Sequence, residues 1–316
     1  MPTIPPAKSD WQAGKSLMEC TRFMFENEIA CDVTFLVGGA KDEVRAHKFI
    51  LISRSPVFSA MFCGPMAESQ ESIPIPDIHA DNFRTMLRYM YCDKENIDDG
   101  NVSEVLYCAK KYCIAGLSEA CRKYLSENIN TTNSCLFLQI ADKLDEQDLC
   151  NECLEYILED GERCFQSESF KEMSRRLVEK VVEADDLVAC ELSVWEALVT
   201  WSEAECERQG SATEDKNVRE AMGDLAYFVR FRGIDTETFA KKVTSREILT
   251  GDEIAGIFRF CHHVIKQYDK FSMKRGRSAI KSPLVPEKGE GTWFEAYQGD
   301  VNQKKNKAFN YSSFNN

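Results

Sequence analysis

The stretch from Asp32 to Glu68 constrains this chain more than any other, because it joins a short strand, a second strand and a helix in one fixed order. An apolar run, Val33-Thr34-Phe35-Leu36-Val37, is followed by Gly38-Gly39. β-Branched and aromatic residues bounded by glycines favour a buried strand that turns into a hairpin partner. Val44-Arg45-Ala46-His47-Lys48 supplies that partner, and the spacing of apolar positions turns helical from His47 to Arg54. Ser55-Pro56-Val57-Phe58-Ser59-Ala60-Met61-Phe62 follows, and Met66-Ala67-Glu68 closes the unit.

A length of 316 residues leaves room for two domains and a tail, and 43% apolar residues suffice for sizeable cores. The net charge of −13 repels phosphate backbones, so no nucleic-acid partner is expected. No apolar run reaches the roughly 18 residues of a membrane span, and Met1 to Asp10 lacks the apolar core of a signal peptide. Neither membrane nor secretion is therefore expected, and the location expected is cytoplasmic, with a nuclear one also open. The 14 cysteines would then sit in a reducing compartment. They fall at scattered spacings, many within helical patterns such as Tyr107 to Cys121, where a thiol packs as a small hydrophobe.

Residues 11 to 29 read as a first amphipathic helix, with Ala13, Leu17, Cys20 and Met24 at helical spacing and Met18 and Phe25 widening the stripe. Ser72-Ile73-Pro74-Ile75-Pro76 reads as extended, since two prolines fix φ and restrict the residue before them. Asp81 to Tyr91 is helical, and Asn101 with Glu104 three residues on predicts a capped helix start. Ile114-Ala115-Gly116-Leu117 breaks that helix and opens the next. Beyond Asn130 the pattern is helical throughout, over Ser134–Leu144, Glu146–Glu159, Phe170–Val182, Glu191–Arg208 and Asp252–Tyr268.

The order of elements over Asp32 to Glu68 resembles the BTB/POZ domain. Val194-Trp195-Glu196-Ala197-Leu198-Val199-Thr200-Trp201 resembles the aromatic-anchored core helix of the BACK domain. Ser202 to Gly210, Tyr89-Met90-Tyr91 with Ala109-Lys110-Lys111-Tyr112, and Ile248-Leu249-Thr250 are similar to the BTB-BACK proteins that carry a C-terminal PHR domain. The likeness covers about residues 15 to 270 and implies an α+β fold. A flexible N-terminus (1–14) precedes a BTB/POZ domain (15–130), a small sheet wrapped by helices. An all-α BACK array (131–270) and a disordered tail (271–316) follow. That tail is too short for a β-sandwich of about 100 residues.

Two surfaces are expected. A first helix with an apolar stripe cannot bury it on so small a domain, so a homodimer is expected, with heterodimers among related BTB proteins also open. Leu17, Cys20 and Met24 would line it, and by the resemblance Asp32 and Lys48 match a charged pair near the dimer groove. The alternative is that Asp32 merely starts a strand and Lys48 is solvated. The resemblance also implies a cullin-3 interface. Met66-Ala67-Glu68 fits the hydrophobic-x-Glu motif of cullin-binding BTB proteins, Ala60, Met61 and Phe62 would form its apolar floor, and Tyr91 and Tyr107 would extend it. Met66 as loop core and Glu68 as a solvated residue stay open beside this. Leu136, Phe137, Ile140, Ala141 and Leu144 occupy the place of the cullin-contacting 3-box; most would be core, beside a groove for an extended cullin segment.

The implied function is a non-catalytic, substrate-specific adaptor of a cullin-3 ubiquitin ligase whose protein substrate the sequence does not name. The alternative is a dimerising scaffold or competitor of full-length relatives. No enzyme motif occurs, and four histidines leave few candidates for acid–base work. Cys150-Asn151-Glu152-Cys153 has the spacing of half a zinc site without a second half, and His262-His263 lacks a matching cluster, so no metal or cofactor is expected. Cys121-Arg122-Lys123 and Arg163-Cys164 place thiols next to cations in sequence, which leaves a redox sensor as a further alternative. Lys266, Lys270, Lys274, Arg275, Arg277 and Lys281 read either as a nuclear signal or acidic-partner patch, or as a solvated helix end.

Overall fold

The computed structural model describes residues 11–261, apart from Met66, Ser69, Glu71 and Glu95. Helix α1 (Leu17–Glu26) leads into strands β1 (Val33–Val37) and β2 (Asp42–Ala46), helices α2 (Lys48–Arg54) and α3 (Pro56–Cys63), strand β3 (Ser72–Ile75), and helices α4 (Ala80–Cys92), α5 (Val102–Lys111) and α6 (Ala115–Glu127). The sheet order is β2-β1-β3, with β1 antiparallel to β2 and parallel to β3. Phe35 stands opposite both Val44 and Ile73. β1 is buried at Val33, Phe35 and Val37, the positions its alternation assigns to one face.

α2 stops at Arg54 because Ser55 turns extended before Pro56, which opens α3 at its first position. Ser55 Oγ accepts the Phe58 N–H at 3.2 Å and donates to the Tyr112 carbonyl at 2.6 Å. One buried hydroxyl thus caps α3 and ties it to the end of α5. Phe58 stacks on Tyr112 with ring centroids 4.4 Å apart, and Phe35 meets the edge of Phe83 at 5.1 Å. These rings form the centre of the first core.

The second half is all helix: α7 (Ser134–Lys143), α8 (Gln147–Glu159), α9 (Gly161–Cys164), α10 (Glu168–Lys171), α11 (Arg175–Glu183), α12 (Glu191–Arg208), α13 (Asp215–Met222), α14 (Thr236–Thr238) and α15 (Gly251–Cys261). α12 spans the residues expected and buries Trp195 and Trp201. The single helix expected over Phe170–Val182 is instead α10 and α11, parted near Met173. The Met173 carbonyl accepts the Trp201 indole N–H at 2.8 Å, a buried bond that turns that carbonyl away from the helical ladder.

Two other expectations are corrected. The first helix starts at Leu17, not Trp11: Gly14 sits at φ 72° in a turn, and Ser16 with Glu19 forms a capping box. Asn101 does not cap α5 with its side chain. Its Oδ1 accepts the Asp98 N–H at 3.0 Å, and Glu104 is taken by the His79 N–H at 2.8 Å and by the Asn82 side chain. The end of the last expected helix, the segment 1–10, the histidine pair, the basic cluster and the tail lie outside the described residues.

Candidate functional site

α3 ends on an open surface. Ala60 is exposed, Met61 and Phe62 are half-buried, and Gly64 closes the helix with its N–H on the Ala60 carbonyl at 2.9 Å. The chain then returns, the Glu68 N–H donating to the Met61 carbonyl at 2.8 Å and the Glu68 carboxylate accepting the Gln70 N–H at 3.1 Å. The Met66 expected to anchor this surface lies outside the described residues. Tyr107, 36% exposed, is on α5, whose C-terminal end leans on α3 through the Phe58–Tyr112 stack. Its hydroxyl donates to Asp77 at 2.6 Å, and Lys111 Nζ reaches the same carboxylate at 2.7 Å. The Lys111 and Tyr107 bonds hold the Asp77 carboxyl below its usual range. An exposed aromatic ring is therefore fixed in place before anything binds it.

Tyr91 departs from the expectation: it is only 5% exposed. Its ring stacks on Phe25 at 4.6 Å and its hydroxyl meets His47, so it supports α1 from beneath and is not on the open surface.

α1 and α2 carry the second surface. Leu17 is 80% exposed, with Met18 also outward, and Cys20 and Met24 are half-buried. Phe49 on α2 is 77% exposed and was missed by sequence reasoning. Its signal was Phe49-Ile50-Leu51-Ile52, four apolar residues in succession on a helix of seven, which cannot all face inward. Asp32 and Lys48 do meet, but Asp32 Oδ1 accepts the Lys48 backbone N–H at 2.7 Å. The carboxylate is exposed and serves the start of α2, while the Lys48 ammonium lies 5.2 Å from the Phe62 ring centroid. The expected charged pair is thus corrected to a helix-terminus bond and a cation–π contact.

Glu146, at the turn between α7 and α8, fastens the two halves. It pairs with Lys110 of α5 at 2.8 Å and Arg122 of α6 at 3.5 Å. Phe137, Ile140 and Ala141 are core, and Leu136 and Leu144 are half-buried. The cations next to thiols in sequence are held by carboxylates, and at Cys164 burial outweighs the neighbouring Arg163 charge and raises the thiol. Arg122 serves Glu119 and Glu146, and Arg163 serves Asp160 at 2.9 Å. Cys121, Cys150, Cys153 and Cys164 are buried, and burial pushes the Cys153 thiol up to about 12. Among the described residues no helix is long and apolar enough to cross a membrane, and no three metal-ligating side chains cluster.

A small sheet wrapped by helices, with two outward faces, defines a protein-interaction module. Comparison with known proteins agrees: residues 22–129 match the BTB/POZ domain and residues 134–243 match the domain described as BTB And C-terminal Kelch. The chain is a BTB–BACK protein. It is similar to BTB/POZ domain-containing protein 6 of Mus musculus, 37% identical over 256 residues, which are 80% of this chain and 48% of that protein. BTB/POZ domain-containing protein 3 of Homo sapiens is 34% identical over 252 residues, 79% of this chain and 48% of that protein. The chain spans about half the length of the curated relatives it matches.

Proposed function

We propose that this chain is a non-catalytic adaptor that dimerises and brings a protein substrate to a cullin-3 ubiquitin ligase. The observation that carries the reading is the end of α3, where the Gly64 N–H closes on Ala60 and the Glu68 N–H returns to Met61, Glu68 being the carboxylate of the hydrophobic-x-Glu sequence. A half-buried apolar floor beside a pinned glutamate supplies affinity and register together. Tyr107 adds a fixed aromatic ring to this interface; Tyr91 does not belong to it. Leu17, Met18 and Phe49 are exposed apolar side chains on α1 and α2, and with Cys20 and Met24 they are assigned here to the homodimer face, whose natural cover is its own copy. Such an adaptor acts by raising the effective concentration of substrate at the ligase. Free thiols at the 13 cysteines whose side chains are described support a reducing compartment, the cytoplasm.

Calorimetric titration with the N-terminal domain of cullin-3 tests the reading. Submicromolar binding, weakened about tenfold or more (roughly 1.4 kcal/mol) by Met66→Ala and by Glu68→Ala, is expected. Absence of binding moves the chain to the class of dimerising scaffolds.

A further inference from the structure

Gly64 stands where α3 passes into the loop of the proposed cullin-3 interface. Its φ of −76° and ψ of 170° are open to any residue, so conformation does not demand glycine here. Space does. A Cβ at this position would lie 2.4 Å from the Ala60 carbonyl oxygen and 3.2 Å from the Ala60 carbonyl carbon. Both are backbone atoms of the last turn, and no side-chain rotation relieves the collision. Gly39, by contrast, has nothing within 4 Å of a Cβ.

The displacement that a side chain would force has few places to go. Upstream, Phe58 is buried in the Phe35–Tyr112 core. Downstream, β3 is held in register with β1, Ser72 opposite Thr34. Between these anchors lie Ala60, Met61 and the returning loop, fastened by the Gly64 N–H on Ala60 and the Glu68 N–H on Met61. Any shift therefore falls on this exposed patch and pulls the Glu68 backbone from its acceptor.

We infer that Gly64 is a positioning residue for partner binding: the absence of a side chain lets the loop close on the end of α3 and sets where Glu68 is presented. The inference rests on the cullin-3 reading above and goes beyond it by assigning a role to a residue outside the hydrophobic-x-Glu motif.

The test compares wild-type chain, Gly64→Ala and the control Gly39→Ala by titration with the cullin-3 N-terminal domain. Light-scattering mass, melting temperature and amide exchange of Glu68 are read alongside. Expected are an affinity loss of about tenfold or more for Gly64→Ala, faster exchange at Glu68, unchanged mass, and wild-type affinity for Gly39→Ala. Wild-type binding with Gly64→Ala within about twofold of it overturns the inference alone. No binding by the wild type overturns the cullin-3 reading and the inference with it. Should Gly64→Ala fail to fold, exchange in the wild type decides: a protected Glu68 amide supports the pinned loop, and exchange at the unstructured rate overturns it.

Discussion

The Tyr91 hydroxyl accepts the His47 backbone N–H at 2.8 Å and lies 2.7 Å from His47 Nδ1. On the far side of the imidazole, Nε2 is 2.7 Å from the Ile29 carbonyl oxygen. A carbonyl only accepts, so Nε2 carries a proton, and in the neutral ring Nδ1 is the acceptor to which the Tyr91 O–H donates. Burial pushes the Tyr91 hydroxyl up, which keeps that proton in place. Three segments meet here: α4 through Tyr91, the start of α2 through His47, and the chain after α1 through Ile29.

Tyr91→Phe keeps the stack on Phe25 but strands the His47 N–H and Nδ1. A stability loss of about 1–3 kcal/mol is expected from urea denaturation. An unchanged midpoint would show that the junction contributes nothing.

The face built on α1 and α2 makes a prediction about mass. Wild-type chain at micromolar concentration should scatter light as a dimer, and Leu17→Asp combined with Phe49→Asp should scatter as a monomer, since two desolvated carboxylates oppose pairing. A double variant that remains dimeric places the contact elsewhere.

Glu146 is 11% exposed, whereas Lys110 and Arg122 are each 37% exposed. Glu146→Gln keeps the shape and removes the charge. Solvent screening of the cations limits the expected loss to about 1–2 kcal/mol. Limited proteolysis between the two halves should quicken, and equal rates would remove Glu146 as a fastener.

In the second domain, burial alone would raise the Glu253 carboxyl, but the Thr250 N–H, the Arg219 guanidinium at 3.0 Å and the Thr250 hydroxyl outweigh it and hold it below its usual range. A carboxyl depressed in the folded state contributes stability above its unfolded value of about 4.3, and that contribution is lost as pH falls through the folded value. Wild-type stability should therefore drop from about pH 5 downward, and Glu253→Gln should flatten part of that drop. Parallel pH profiles for the two proteins would contradict the assignment.

Thiol chemistry discriminates among the cysteines. Burial pushes Cys108 and Cys135 up to about 12, which leaves roughly one thiolate in ten thousand at pH 8. Exposed Cys63, Cys113 and Cys190 should be alkylated first by iodoacetamide in the folded chain. Early labelling of Cys108 or Cys135 would reopen the redox reading.

Local pattern carried much of this protein. The span of β1 from Val33 to Val37, the stop before Pro56 and the extent of α12 from Glu191 to Arg208 follow from periodicity and backbone chemistry within a few residues, while the burial of its tryptophans is implied by the family resemblance. Those signals are local, so sequence holds them complete. The tertiary structure decided which distant group takes each polar partner. Glu104 is captured by His79 before it can cap its own helix, Met173 turns its carbonyl to Trp201 and splits a helix, and Asp32 meets the Lys48 backbone instead of its ammonium. Tyr91, expected outward, is enclosed, and Phe49, given no role by the sequence, stands exposed, because which side of a short helix faces inward is set by what packs against it.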